Sequence, residues 1–467
     1  MHTYQATGNI ATMTKNTETI SYPYFRDGQE EYLHFNASGP GMIDSARYTL
    51  LEVLHDKRLD CLSFKERVEI MSSFIAGTKA VQHYTYRREL LGASDAEVNV
   101  KCGVYNKIQK MINLASNDYL NLSIHPRVRK AAADCVLQFG LGSGSAPMLM
   151  GTHSIHRKLE QKIAAFQNCE SAMLFTSGYG ANTGVLKALL KENDVAICDM
   201  YAHASLMDGC THTNQLYFLH NDINSLKSAL KKAAGYKNKI VIIDGVYSMD
   251  GDIAKLDEIL AVAHAYGAWV LCDEAHATGI IGDCGKGTAA HFGLEGKVDI
   301  ITGTFSKALG GVGGFVAGSK ALISYLQIAA RSYMFSTSPP LPVAAAMLEA
   351  LNIIETEPLL MQNLWNNIRY FRNALQLMGF NTGASETSII PVIIGNDFLV
   401  KEITHRLHNA GVLVNAVPYP AVPKKLTRIR LTLSANLAKD QMDYALEQIE
   451  KAARETGVIS NKNYAAA

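Results

Sequence analysis

Between about residue 110 and residue 340, short apolar runs alternate with stretches that have the periodicity of a helix. SAMLF is followed by TGVLKALL, KIVIIDGV by LDEILAVAHAYG, and the runs AWVLCDE and DIITGTF come next. Apolar runs of about four to seven residues between helices are typical of a mostly parallel sheet that helices cover on both faces. The pattern therefore predicts an α/β fold with a mostly parallel central sheet.

The chain has 467 residues, which is long enough for more than one domain. Residues 1–105 are polar and aromatic, and we predict an arm or an oligomerisation element there. We predict a large domain over residues 106–340. Residues 341–467 are predicted to form a smaller C-terminal α/β domain, because two helical stretches lead into SIIPVIIG, VLVNAV and RIRLTL before a final helix, KDQMDYALEQIEKAARE.

Composition excludes several classes of partner. The net charge is +1, from 44 basic and 43 acidic residues, so bulk charge favours neither nucleic acid nor an anionic membrane. No apolar run approaches the roughly 20 residues of a membrane span, and no signal peptide is visible. The eight cysteines are scattered without a CxxC pair, which is typical of free thiols in a reducing compartment. We expect a cytoplasmic protein without a metal site.

Asp273 ends the apolar run in LCDEAHATG. The DEAH letters suggest a helicase, but the only candidate phosphate loop, GDCGKGT, lacks the required first glycine and the Ser or Thr after its lysine. An acid at the carboxyl end of a buried strand lies where ligands of open α/β sheets bind. A carboxylate there needs a cation or hydrogen-bond donors. The alternative is an acid that only caps the following turn.

Lys307 lies in ITGTFSKALGGVGGFVAG, just past the end of a predicted strand and before a glycine-rich turn. Burial against such a turn lowers the pKa of a lysine, and a neutral amine can form a Schiff base with an aldehyde. The alternative is an ordinary surface lysine. Asp273 and Lys307 both lie at predicted strand ends, which favours the chemical interpretation.

Three further segments contain candidate site residues. FTSGYGAN follows a predicted strand and opens a helix, and backbone N–H groups at a helix N-terminus bind phosphate. His203 in DMYAHASLMDG is a candidate for ring stacking or acid–base chemistry, and Ser248 lies on a loop after a strand. The paired histidines of GTHSIH, His153 and His156, have no third ligand nearby, and we interpret them as structural.

Together these segments resemble the α-oxoamine synthase family of pyridoxal-phosphate enzymes. TFSKALGGVG is similar to the lysine signature of that family, and DEAHATGIIGDCGKG, SMDGD, HASLMDG and INLASNDYLNL are similar to its other motifs. The resemblance extends from about residue 110 to 455. It implies a fold-type I transferase that is a homodimer with shared active sites and joins a small amino acid to an acyl thioester. Relatives make 8-amino-7-oxononanoate, 2-amino-3-ketobutyrate, 5-aminolevulinate or 3-ketosphinganine.

The resemblance also implies residue roles around pyridoxal 5'-phosphate. Lys307 would form the Schiff base with the cofactor and later move a proton, and Asp273 would pair with the pyridinium nitrogen. His203 would stack on the ring. Ser248 and His276 would hydrogen-bond the phenolic oxygen of the ring. Lys307, His203, Asp273 and His276 are thus the predicted catalytic residues.

The phosphate and the substrate are assigned by the same resemblance. The phosphate would be bound by the turn at Ser177, Gly178 and Tyr179 and by the hydroxyl of Thr304. Ser336 or Thr337 in FSTSPP would reach the phosphate of the neighbouring subunit.

The substrate carboxylate would be bound by Asn117 and Arg430, with Arg428 as the competing arginine. The reaction would add the substrate carbanion to the thioester carbonyl, lose CO2 and release an aminoketone. The sequence departs from the family pattern at Pro147, where an arginine is common, at Asn436, where a histidine is common, and in its long N-terminal extension.

Several alternatives stay open at this level. Glycine, alanine and serine are all possible amino acids, and the acyl carrier is either coenzyme A or a carrier protein. A different pyridoxal-phosphate reaction on the same fold, such as that of an aldolase or an aminotransferase, is the main alternative activity. A non-catalytic partner subunit is the alternative that is not an enzyme.

Overall fold

The computed structural model describes residues 19–26, 29–36, 53–54, 57–80, 84–102 and 107–459. In chain order the strands are β1 (Thr19–Arg26), β2 (Gln29–Asn36), β3 (Glu89–Leu90), β4 (Glu97–Cys102), β5 (Lys107–Asn113), β6 (Ser171–Phe175), β7 (Val195–Asp199), β8 (Asn214–Phe218), β9 (Lys239–Asp244), β10 (Trp269–Asp273), β11 (Ile300–Thr304), β12 (Gly314–Gly318), β13 (Ile389–Ile393), β14 (Val412–Leu413), β15 (Asn415–Val417) and β16 (Arg428–Thr432). The α-helices are α1 (Phe64–Ala80), α2 (Pro126–Phe139), α3 (Ser154–Phe166), α4 (Gly178–Leu189), α5 (Ala204–Gly209), α6 (Ile223–Lys232), α7 (Leu256–Ala265), α8 (Thr288–His291), α9 (Lys320–Ala329), α10 (Arg331–Met334), α11 (Leu341–Thr356), α12 (Pro358–Leu377), α13 (Asp397–Asn409) and α14 (Lys439–Glu455).

A seven-stranded sheet forms the centre of the molecule, in the order β6-β12-β11-β10-β9-β7-β8. β12 runs antiparallel to both of its neighbours, whereas the other neighbouring pairs are parallel. The predicted α/β fold with a mostly parallel central sheet is therefore confirmed. Because parallel strands share a direction, the carboxyl ends of β7, β9, β10 and β11 lie along one edge, where ligands of such sheets bind.

The central strands are buried on both faces, which explains why they read as continuous apolar runs. In β7, Val195 and Ile197 belong to one core cluster, while Ala196 and Cys198 belong to a second cluster. This alternation follows from the two-residue period of a strand. Helices α3 and α11 supply side chains to the first cluster, and α4 and α9 supply them to the second, so helices cover both faces of the sheet.

Besides the β1–β2 hairpin, two smaller sheets of the described residues lie outside the central one. The first has the order β13-β16-β15, and the second has the order β14-β5-β4-β3. In the second sheet the C-terminal strand β14 pairs with β5, and β5 pairs antiparallel with β4. A boundary at residue 105 thus falls between two strands that pair with each other. The division into three domains stays a prediction.

Much of the predicted N-terminal arm lies outside the described residues, namely 1–18, 27–28, 37–52, 55–56, 81–83 and 103–106. Its described part contains the antiparallel hairpin of β1 and β2 and the helix α1. Within the described ranges, no helix is both long and apolar enough to cross a membrane.

The turn between β11 and β12 contains Lys307 and approaches its neighbours closely. Gly310 in this turn has φ +69, and a Cβ there would collide with the backbone of Ser123. A side chain would be strained at this positive φ even without that collision. A Cβ on Gly314 would lie 2.6 Å from the backbone of Gly178. These glycines allow the lysine turn to lie against both the 117–123 segment and the N-terminus of α4.

Candidate active site

Three aspartates end neighbouring strands of the central sheet. Asp199 is the last residue of β7, Asp244 of β9 and Asp273 of β10, and all three are buried. Because these strands are adjacent and parallel, all three aspartates lie at the carboxyl edge. Asp244 and Asp273 are paired in register and share one face of the sheet, whereas Asp199 follows the Cys198–Ile242 pair and lies on the other face. The sequence interpretation recognised Asp273 and missed the other two. Asp199 and Asp244 could have been found from the sequence, because the three strands end in the similar segments AICD, VIID and VLCD.

Asp273 is fixed by two hydrogen-bond donors. Nδ2 of Asn182 donates to Oδ2 over 2.7 Å, and the backbone N–H of Ala275 donates to Oδ1 over 2.9 Å. Asn182 projects from α4 and is buried, and its own Oδ1 has no hydrogen-bond partner among the described residues. The carboxylate is thereby held in one orientation above the strand end. Asn182 was not among the predicted site residues, because its partner is far away in the sequence.

The pKa of the Lys307 amine is set by burial and by the charged side chains near the carboxyl edge of the sheet. Burial, helped by the charge of Arg430, lowers the pKa of Lys307 to about 8, although Asp273 and Asp244 oppose the shift. An amine with this pKa is partly neutral near pH 8, so it can act as a nucleophile. Burial together with the charge of Asp273 raises the pKa of Asp244 well above its ordinary value, which favours its neutral form.

His203 is oriented by a chain of hydrogen bonds that ends at Asp273. Its Nδ1 lies 2.7 Å from Oγ of Ser205 and accepts from the backbone N–H of the same residue. Asn182 donates to Ser205 over 2.8 Å and to Asp273. The backbone N–H of His203 donates to Asp244 over 3.1 Å. Burial lowers the pKa of His203, so the ring favours its neutral form.

His276 is buried and pairs with a tyrosine that was not among the predicted site residues. Its Nδ1 lies 2.7 Å from the hydroxyl of Tyr119, and the same hydroxyl lies 3.2 Å from Oδ1 of Asn117, so its one proton serves one of these two contacts at a time. Burial lowers the pKa of His276 well below its ordinary value and raises the pKa of Tyr119 to about 12. His276 is therefore neutral, and Tyr119 joins it to the proposed substrate side of the site.

The structure distinguishes the two arginines of β16. Arg428 is fully buried and donates to the Asp250 carboxylate over 2.7 Å and to the Met249 carbonyl over 3.0 Å. Arg430 donates to the Ser248 carbonyl over 2.6 Å and, from both terminal nitrogens, to Oδ1 of Asn117 over 3.2 Å. Among the salt bridges of the described residues, none involves Arg430. Arg430 is therefore the arginine whose charge remains free for a ligand carboxylate.

The glycine turn before α4 lies against the end of β11. Oγ of Ser177 accepts from the backbone N–H of Gly180 over 2.9 Å, which caps the helix. A Cβ on Gly178 would lie 2.9 Å from Cβ of Thr304, so this turn and the threonine are in direct contact. The Thr304 hydroxyl donates to the carbonyl of Gly313. The side chain of Tyr179 points away to Asp208, which leaves its backbone N–H at the helix terminus.

Ser336 and Thr337 do not join this cluster within one subunit. They lie between α10 and α11, and no hydrogen bond connects either residue to the described residues around Lys307. Their neighbour Ser338 donates its backbone N–H to Ser145 over 3.2 Å. Apolar side chains of the same region are exposed, namely Leu141, Leu149, Met150 and Phe335.

The two departures from the family motif have different surroundings. Pro147 begins a helical turn, Pro147–Gly151, beside the exposed apolar side chains. Asn436 donates to the carboxylate of Asp95, and Ser434 donates to Asn436 over 3.1 Å. Neither residue contacts Lys307 or Asp273. His153 and His156 are capping and carbonyl-binding residues of α3, in agreement with the structural interpretation.

Comparison with known proteins gives a consistent result. The model of the family "Aminotransferase class I and II" matches residues 109–449. The 8-amino-7-oxononanoate synthase 1 of Bacillus subtilis (strain 168) is 43% identical over 353 residues, which cover 75% of this chain and 90% of that protein. The 8-amino-7-oxononanoate synthase of Thermoanaerobacter pseudethanolicus is 41% identical over 377 residues, covering 77% and 95% of the two chains.

Solved structures with the same fold include two serine palmitoyltransferases. One, from S. paucimobilis with a bound PLP–myriocin aldimine, has a TM-score of 0.77 at 31% identity and covers 80% of this chain and 94% of its own. The other, from Sphingomonas wittichii, has a TM-score of 0.78 at 31% identity and covers 86% and 99%. The predicted fold-type I transferase fold is thus confirmed.

The lowered pKa of Lys307 predicts how its reactivity depends on pH. In protein freed of bound aldehyde, the rate at which a small aldehyde, trapped by cyanoborohydride, modifies Lys307 should rise with pH to a midpoint near pH 8. Asp273→Asn should lower this midpoint, because it removes a negative charge that stabilises the ammonium form. Arg430→Gln should raise it, because it removes a positive charge. Peptide mass spectrometry measures the rates, and a midpoint near that of surface lysines would contradict the assignment.

Proposed function

The chain belongs to the aminotransferase class I and II family, and we propose that it acts as an α-oxoamine synthase. This is a pyridoxal-phosphate-dependent acyltransferase that condenses a small amino acid with an acyl thioester and releases CO2. The observation that supports it most strongly is the arrangement of Lys307, Asp273 and His203 at one sheet edge, near Arg430, which has no salt bridge among the described residues. This complete set argues against a non-catalytic partner subunit.

The described residues fit pyridoxal phosphate on three grounds. Lys307 has a pKa low enough for its amine to attack an aldehyde. Asp273 is a fixed carboxylate, which suits a protonated pyridine nitrogen. The turn at Gly178 offers backbone N–H groups of a 12-residue helix, next to the hydroxyl of Thr304 and with no Cβ to obstruct a phosphate. When bound, the cofactor supplies an electron-accepting ring that stabilises negative charge on the amino acid Cα.

The catalytic side chains have separate tasks in this proposal. Lys307 would hold the cofactor through Nζ and would afterwards carry a proton to and from the substrate Cα. Asp273 would keep the pyridine nitrogen protonated. His203, which Ser205 orients, would stack on the ring. His276 and Ser248 would hydrogen-bond the phenolic oxygen, and we assign catalysis to Lys307, Asp273, His203 and His276.

The substrate side is formed by Asn117 and Arg430. The two terminal nitrogens of Arg430 present a planar pair of donors that matches a carboxylate. Ser248 and Asn117 already hold the guanidinium in place, so little of its freedom is lost on binding. The phosphate would be bound by Ser177, Gly178, Tyr179 and Thr304. Glycine, alanine and serine all fit the proposal, with coenzyme A or a carrier protein as acyl carrier.

Turnover with defined substrates tests this activity. Each of glycine, alanine and serine, labelled at the carboxyl carbon, is mixed with a panel of acyl thioesters. We expect one amino acid to release labelled CO2 and free thiol in equal amounts, because the condensation product loses that carboxylate. Lys307→Ala should abolish both. Formation of a keto acid or an aldehyde without thiol release would support the aminotransferase or aldolase alternative.

The two arginines of β16 should respond differently to substitution. Arg430→Gln should lower kcat/KM for the amino acid about 10- to 100-fold, since it removes a charged hydrogen-bond pair to the substrate. Arg428→Gln should instead lower the free energy of unfolding by about 3–5 kcal/mol, because it leaves the partner carboxylate of Asp250 unpaired. Steady-state kinetics and urea denaturation measure the two effects. The reverse pattern would assign carboxylate binding to Arg428.

We extend the proposal to a homodimer in which Ser336 or Thr337 contacts the phosphate bound by the other subunit. Exposed apolar side chains at Leu141, Leu149, Met150 and Phe335 support an interface beside these residues. Sedimentation at micromolar concentration should show a dimer, and Phe335→Asp should weaken it; a stable monomer would contradict this extension.

A cytoplasmic location is also proposed, supported by the scattered free cysteines, and cell fractionation would test it.

A further inference from the structure

His220 lies just beyond β8 and is hydrogen-bonded to two carboxylates. Its Nδ1 lies 3.1 Å from Oδ1 of Asp199, and its Nε2 lies 2.8 Å from Oδ2 of Asp252. Ionised carboxylates only accept hydrogen bonds, so both ring nitrogens must donate. An imidazole ring donates from both nitrogens only when it is protonated. The geometry therefore requires a positively charged His220.

The two aspartates also accept hydrogen bonds from other groups, although Oδ1 of Asp252 is buried without a partner among the described residues. Asp199 accepts from the backbone N–H groups of Tyr201 and Asn221, over 2.8 and 3.1 Å. Asp252 accepts from Nδ2 of Asn221 over 2.8 Å. Both aspartates are buried, so neither charge is stabilised by bulk water. A cation between them offsets a cost that would otherwise be large.

Two aromatic rings enclose the imidazole. Tyr201 stacks on it with ring centroids 4.4 Å apart, and Tyr247 meets it edge-on at 4.3 Å. The stacked arrangement is favourable for a cation over an aromatic face. Burial alone would lower the pKa of His220, but the hydrogen bonds and charges of Asp199 and Asp252 outweigh it and raise the pKa to about 10. The titratable groups that face His220 are Asp199, Asp252, Tyr201 and Tyr247, with Asp244 beyond Asp199.

The two carboxylates belong to two different active-site loops. Asp199 begins the segment that leads through Tyr201 to His203 at the start of α5. Asp252 lies on the loop after β9 that carries Ser248, whose carbonyl accepts from Arg430. His220 is thus a direct bridge between the loop that holds the ring-stacking histidine and the loop that holds the phenolic-oxygen ligand.

We propose that His220 is a positioning residue, a doubly hydrogen-bonded imidazolium that joins the His203 loop to the Ser248 loop and fixes both against the bound cofactor. It acts through Asp199 and Asp252 and touches neither cofactor nor substrate. This role rests on the proposed function in that the cofactor is pyridoxal phosphate. It does not depend on which amino acid or acyl thioester is used.

The ionisation of His220 can be measured in the wild-type holoenzyme. With ¹⁵N-labelled histidine, the His220 ring, identified by its loss in His220→Gln, should show protons on both nitrogens at pH 8. Asp252→Asn should lower the pH at which one proton is lost, because it removes one of the two charges. A neutral His220 ring at pH 8 would overturn the proposal. Where His220→Gln fails to fold, the signal that shifts in Asp252→Asn identifies the His220 ring instead.

Positioning is tested by comparing His220→Gln with His408→Gln. His408 is also buried, but it lies in the last turn of α13 with its Nε2 3.0 Å from the Val414 carbonyl, and burial lowers its pKa to about 3. The circular dichroism of bound pyridoxal phosphate in the visible range reports how the ring is held. His220→Gln should change this signal and lower kcat about 10- to 100-fold with little change in KM, whereas His408→Gln should change neither. A folded His220→Gln with wild-type dichroism and kcat would overturn the proposal.

The thermal stability of the protein gives a second test of the His220 charge, and this test does not require the enzyme to turn over a substrate. The pKa of His220 is higher in the folded protein than its ordinary value of about 6.5, so protonation of His220 stabilises the fold. This stabilisation has its full size below about pH 6.5. This stabilisation is lost as pH rises toward 10. The difference in Tm between wild type and His220→Gln should therefore shrink from pH 7 to pH 10, whereas the His408→Gln difference should stay constant. If no amino acid is turned over but dichroism and Tm behave as expected, the proposed function fails and the positioning role stands.

Discussion

Buried carboxylates at the ends of adjacent parallel strands are the constraint on which the rest of this site depends. Asp199, Asp244 and Asp273 end three neighbouring strands, and each would be costly to bury as an isolated charge. The structure meets this cost in three ways. Asp273 has hydrogen-bond donors and the Lys307 charge, Asp199 has the imidazolium of His220, and Asp244 is shifted toward its neutral form. The reactive amine is one of the cations that this edge requires.

The C-terminal strand β16 completes the site from the opposite side. Arg428 and Arg430 are two residues apart, so their side chains lie on the same face of the strand. Both reach the loop that contains Ser248, one through the Asp250 carboxylate and Met249 carbonyl and the other through the Ser248 carbonyl. The same loop is joined to the His203 loop by His220. Stability and ligand recognition are therefore combined in one loop between the central sheet and the C-terminal strands.

The sequence predicted the central sheet because both faces of its strands are buried, which leaves unbroken apolar runs. It also indicated that Asp273 and Lys307 are site residues, because a charged residue at the end of such an apolar run is seldom a simple surface residue. Tyr119 and His220 could not be inferred in the same way. Tyr119 is 157 residues from His276, and the two partners of His220 lie 21 and 32 residues away. Such contacts depend on the folded arrangement of loops, which local patterns do not encode.

The pairing of β14 with β5 could not be predicted from the sequence either, because β14 has only two residues and its register is set by the fold around it. The domain division at residue 105 and the roles of individual site residues thus remain predictions. By contrast, the family signature around Lys307 is local, since one turn combines the lysine, the phosphate-side threonine and the glycines that allow close approach. That turn was the most informative segment of the sequence.

Lys307 is proposed to hold the cofactor by a covalent bond. This bond is tested by borohydride reduction of the protein purified with pyridoxal phosphate, followed by digestion and mass spectrometry. We expect one phosphopyridoxyl group per chain, located on the peptide that contains Lys307. If the group is found on a different lysine and Lys307 is unmodified, Lys307 is not the attachment site.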